Sequence, residues 1–111
     1  MRTPQFFFFR DSTPTLELVL PFALGEADAA VLTLAQDGRI VLEYARGADG
    51  EGLSVPADEP DLLRIRLPQA DTLRLTAGDC ELQLRIRNAD GAVTFYPIFG
   101  QIGQARKEEV I

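Results

Sequence analysis

Between Cys80 and Arg87 the chain alternates without interruption. Cys80, Leu82, Leu84 and Ile86 fall on one phase, and Glu81, Gln83, Arg85 and Arg87 on the other. A period of two is the period of a pleated strand, so this segment predicts a β-strand with one face in a core and the other in water. Asn88-Ala-Asp-Gly91 supplies turn residues, and the β-rich run Val93 to Phe99 comes next. The two runs therefore predict an antiparallel hairpin around which the rest of the chain must pack.

The same reasoning extends to both sides. Phe6 to Phe9 is a short aromatic strand that Ser12-Thr-Pro14 breaks. Leu16, Leu18, Leu20 and Phe22 alternate with Glu17 and Val19, and Pro21 marks the end of that strand. Val31 to Leu34 and Arg39 to Ala45 flank Gln36-Asp-Gly38, the form of a tight hairpin. Leu63, Ile65 and Leu67 alternate with Arg64 and Arg66, and Pro68 to Asp71 suits one helical turn. No stretch sustains a helical period. Short strands at close intervals, in a chain of 111 residues, predict one all-β domain over residues 1–111. Its expected form is a two-sheet antiparallel sandwich of about seven strands.

Composition removes several functions. The sequence holds no His, which excludes Ser-His-Asp and Cys-His catalysis and His-containing metal sites. The glycines at 47, 50 and 52 carry no following Lys-Ser or Lys-Thr, so no phosphate loop is present and no cofactor is expected. A net charge of −6 disfavours nucleic acid and anionic membrane as partners. Arg64, Arg66, Arg85 and Arg87 occupy outward phases and are expected to be solvated or paired with Glu17, Glu43 or Glu81. The Phe run is too short for the apolar region of a signal peptide, and Leu16 to Leu24 is too short to span a bilayer. Cys80 lies on the apolar phase and is read as a buried hydrophobe; one cysteine permits no internal disulfide. The segment from Arg46 to Asp61 gathers carboxylates among Gly and Pro, but the ordered spacing of a Ca²⁺ loop is absent. It is expected to be a solvated acidic loop.

Two features point to contact rather than catalysis. Four consecutive aromatics on a pleat, Phe6, Phe7, Phe8 and Phe9, must place two rings on each face. One pair belongs in the core. The other is covered either by a segment of the same chain, such as the tail ending in Val110 and Ile111, or by another subunit. Tyr96 falls out of phase with Val93, Phe95 and Phe99, which are read as core-facing, so it is expected to face outward. With Phe6, Phe7, Phe8 and Phe9 it makes the candidate interface. The alternative is a carbohydrate-binding sandwich that presents Tyr44 or Tyr96 to a sugar.

The order of several short pieces resembles the N-terminal domain of the baseplate upper protein of tailed phages and similar short phage and prophage tail proteins. The pieces are Leu20-Pro-Phe-Ala-Leu24, Leu67-Pro-Gln-Ala-Asp-Thr-Leu73, Gly78, Gln83-Leu-Arg-Ile-Arg87 and Asp90-Gly91, with Pro68 standing where the family has Thr. The resemblance implies an immunoglobulin-like sandwich without enzymatic activity, serving as a tail, neck or baseplate component. It also implies assembly into a homo-oligomer with other phage structural proteins, in the virion and, during assembly, in the host bacterial cytoplasm.

Overall fold

A computed structural model describes residues 5–24, 29–45 and 53–104. Eight strands and one helical turn run in the order β1 (Phe6–Phe9), β2 (Thr15–Val19), β3 (Ala29–Gln36), β4 (Arg39–Ala45), β5 (Leu53–Ser54), β6 (Leu62–Arg66), α1 (Gln69–Thr72), β7 (Gly78–Arg87) and β8 (Val93–Gly103). They form a five-stranded sheet, β1-β8-β7-β3-β4, and a three-stranded sheet, β2-β6-β5. The chain is an all-β, immunoglobulin-like sandwich.

The alternation read from the sequence sets the packing. Leu82, Leu84 and Ile86 of β7 face inward with Leu32 and Leu34 of β3 and Ile98 and Ile102 of β8. Leu16 and Leu18 of β2, Leu53 of β5 and Leu63 and Ile65 of β6 close the core from the other sheet. Cys80 is buried within this cluster. Burial there pushes its thiol pKa up to about 12, and the neighbouring Glu81 carboxylate adds to the shift.

The β3–β4 hairpin turns through Asp37 and Gly38, with φ of 52° and 76°. Two successive positive φ values define the mirror-image turn whose twist matches that of paired strands, which is why Gly stands second. In place of the expected all-antiparallel arrangement, β1 pairs parallel to β8, with Phe6 opposite Gly100 and Phe8 opposite Ile102. The reason is topological. β2 lies in the other sheet, so the chain leaves β1 by crossing the sandwich through Asp11, whose φ is 65°, instead of folding back as a hairpin.

Polar side chains fix that crossing. Arg10 donates from Nε to the Leu75 carbonyl at 2.8 Å and from a terminal nitrogen to the Leu73 carbonyl at 2.9 Å. Thr72 is fully buried; its hydroxyl donates to the Ser12 carbonyl at 2.8 Å and accepts from the Ser12 N–H at 3.2 Å. The helical turn expected at Pro68 to Asp71 is present as α1, and it serves as the post to which the β1–β2 crossing is tied. Next to this post Gln36 spans the turn before β7, accepting from the Thr76 N–H and donating to the Thr76 carbonyl.

Candidate functional site

The aromatic strand divides as a pleat requires. Phe6 and Phe8 are buried with rings stacked 6.0 Å apart, whereas Phe7 and Phe9 project outward, 55% and 49% exposed. The outward rings meet edge to face, 5.2 Å apart at 84°. Two glycines of β8 make room for the strand. A Cβ on Gly103 would stand 2.6 Å from Phe7 Cζ and 2.9 Å from Phe9 Cδ1, so both outward rings lie down on the neighbouring strand.

The hairpin register brings more aromatics to the same face. Arg87 pairs with Val93, Arg85 with Phe95, Gln83 with Pro97 and Glu81 with Phe99. Cross-strand partners share a face, so Val93, Phe95 and Phe99 point outward with the charged side of β7. Val93 and Phe95 are 52% and 56% exposed. The expectation that these residues face the core is therefore corrected, and with it the expectation for Tyr96. Tyr96 pairs with Leu84 on the inward phase, half-buried, with Phe22 edge-on at 5.7 Å. Loop length is the physical cause. A four-residue turn at 88–91 would place Phe95 opposite Leu84, inside. The loop runs one residue longer, closed by the Asn88 N–H donating to the Ala92 carbonyl, and one residue exchanges the faces of the whole strand. Tyr96, Ile98 and Ile102 fill the core in place of Phe95 and Phe99.

The resulting surface is an apolar ridge along β8, flanked by Phe7 and Phe9 on β1 and by a graded stripe on β7. The stripe runs from Asp79 and Glu81, through Gln83, to Arg85 and Arg87. Of the five candidate interface residues, the structure brings Phe7 and Phe9 to this face and keeps Phe6, Phe8 and Tyr96 inside. Cover by the tail ending in Val110 and Ile111 lies outside the described residues.

A second cluster surrounds Tyr44. Its hydroxyl donates to Asp71 Oδ2 at 2.5 Å, and burial, then this hydrogen bond, pushes the phenol well above its ordinary range. Arg66 and Gln69 line the same depression. Tyr44 and Tyr96 thus present no shared flat platform: one is held by Asp71 beside α1, and the other lies between the sheets against Phe22. The arginines do not form one stripe either. Arg64 and Arg66 belong to β6 in the three-stranded sheet, and Arg85 and Arg87 to β7 in the five-stranded sheet. Arg64 pairs with Glu17 across the β2–β6 ladder at 3.1 Å. Among the described residues no group of three or more His, Cys, Asp or Glu side chains converges; residues 46–52 of the acidic loop lie outside them.

No family model matches the chain, and no curated protein does. A solved structure does: CopC from Methylosinus trichosporium OB3b, 16% identical, with a TM-score of 0.60 over 96% of this chain and 91% of that one. At this identity the likeness carries the sandwich fold and no ligand. It also corrects the expectation of a phage or prophage tail, neck or baseplate component, since the matched structure is not a phage structural protein. The pieces that carried that resemblance have fold-making roles here. Leu20, Leu24 and Leu67 are core residues, Pro68 stands at the N-cap position of α1 with its carbonyl accepting from the Asp71 and Thr72 N–H groups, and Thr72 ties the crossing. Gly78 opens β7, and Asp90-Gly91 belongs to the hairpin loop. A sandwich built this way calls for such pieces whatever its role.

Proposed function

We propose that this chain is a non-enzymatic β-sandwich that works by self-association, copies meeting through the outer face of β1 and β8. The observation that supports this reading is the set of four large apolar side chains, Phe7, Phe9, Val93 and Phe95, each about half exposed on one face of adjacent strands. They form two groups, Phe7 and Phe9 beside Gln101 and Gly103, and Val93 and Phe95 at the start of β8, joined along that strand by Pro97 and Phe99. Exposed apolar surface of this kind marks contact sites on soluble proteins. Full burial of a Phe is worth roughly 1.5–3 kcal/mol. Three half-exposed rings, each counted twice in a symmetric pair that covers all of them, supply at most roughly 5–9 kcal/mol, comparable with the lower range of the cost of association.

Light scattering over a range of concentrations tests the reading. The full chain is expected to form a defined oligomer, and Phe95→Ser to shift it to monomer with the melting transition retained. A full chain that stays monomeric at high concentration overturns the proposal.

A further inference from the structure

The outer face carries a charge order as well as an apolar ridge, and the two share a centre. On β7, Glu81 and Arg85 lie two residues to either side of Gln83; on β8, Phe99 and Phe95 lie two residues to either side of Pro97. Gln83 and Pro97 are cross-strand partners, as are Glu81 with Phe99 and Arg85 with Phe95. The face therefore reads as three rows across the strands: an acid beside a ring, a polar residue beside a proline, and a base beside a ring. Glu81 and Arg85 are four residues apart along one strand, roughly 14 Å. At that distance they do not form an ion pair within one copy.

We infer that two copies pair face to face about a two-fold axis that lies in the plane of the interface and crosses the strands at the Gln83–Pro97 row. This arrangement rests on the self-association proposed above and specifies its geometry. Rotation about such an axis reverses the strand direction of the second copy and exchanges the outer rows. Glu81 of each copy then faces Arg85 of the other, and Phe99 of each faces Phe95 of the other. The β7 and β8 rows of the patch are their own complement, which is what an isologous contact requires, while Phe7 and Phe9, level with Gln101 and Gly103, lie at the end of the contact. An axis parallel to the strands instead sets the acidic row of one copy level with the acidic row of its partner. Face-to-face sheets pack about 10 Å apart, within reach of Arg and Phe side chains extending from both. The oppositely charged pairs set the orientation and the rings provide the buried area.

Charge reversal in the full chain tests the geometry. Glu81→Arg and Arg85→Glu, each alone, place like charges together twice per dimer and are expected to weaken association by at least about tenfold at low salt. The double variant Glu81→Arg with Arg85→Glu regenerates both pairs with their signs exchanged and is expected to return to near wild-type affinity. A second measurement uses Cys variants and a short bis-maleimide linker. Gln83→Cys, next to the axis, is expected to cross-link the two copies. Asp79→Cys, whose two sites are then roughly 27 Å apart along the strand direction, is not. The wild-type chain, with only the buried Cys80, is the control. A dimer that ignores the charge reversals, or that cross-links through Asp79→Cys and not Gln83→Cys, overturns this arrangement and leaves self-association standing. A monomer overturns both.

Discussion

Gly100 lies directly beneath the ring of Phe6: a Cβ at Gly100 would stand 2.2 Å from Phe6 Cε1 and 2.3 Å from Phe6 Cζ. The two residues are partners in the parallel β1–β8 ladder, and Phe6 is buried, so its ring has nowhere to retreat. Gly100→Ala is expected to destabilise the fold by about 1–3 kcal/mol through overpacking, read as a shift in the denaturation midpoint. Gly100→Ala combined with Phe6→Leu is expected to lose less than the sum of the two single changes, because the smaller side chain vacates the contested space. Strict additivity would show that the ring already has room to move.

Leu84 and Arg85 test the alternation itself. Leu84 is fully buried at the middle of β7, while the Arg85 side chain stands on the exposed phase one residue along. Leu84→Ala is expected to cost about 2–5 kcal/mol, lost transfer free energy plus a cavity. Arg85→Ala is expected to change folding stability by about 0.5 kcal/mol or less when measured on the dissociated chain. Urea denaturation of both variants at low protein concentration makes the comparison.

Cys80 gives the fold a pH dependence whose direction follows from its surroundings. Burial, aided by the Glu81 carboxylate, raises its folded pKa from 9.0 to about 12. Between those values the unfolded chain has released the thiol proton and the folded chain has kept it, so stability is full below about pH 9 and falls as pH rises toward 12. Tyr44, also shifted upward, steepens the loss above its ordinary range. Denaturation midpoints measured from pH 7 to 11 are expected to decline less in Cys80→Val than in wild type. Identical slopes would mean that the thiol does not contribute.

Much of this architecture was legible because alternation and turn chemistry are local signals. β7 was visible from Cys80, Leu82, Leu84 and Ile86 alone, and the β3–β4 turn from Asp37-Gly38. What was not legible depended on distant partners or on a single count. The parallel pairing of β1 joins residues more than ninety positions apart, Phe6 with Gly100, and no nearby residue announces it. The candidate face turned on whether the β7–β8 loop had four residues or five. Phe95 and Phe99 look like core residues by composition, and only the pairing of Arg85 with Phe95 sends them outward. Phe7 and Phe9 were visible as a pair needing cover, because four rings on a pleat leave no other choice.

The ladder between Phe6–Phe9 and Gly100–Gly103 also sets an order of events when the chain is made. Synthesis at roughly 5–20 residues per second leaves an interval of roughly 5–20 s between the appearance of β1 and that of the segment it pairs with. Throughout that interval all four Phe rings, including the two that end in the core, are without their final neighbours. The strand that emerges first is thus among the last to be placed. A ribosome-bound chain halted before Gly100 is expected to expose the Phe6 and Phe8 rings to chaperones and proteases, while the full chain has those two rings in its core.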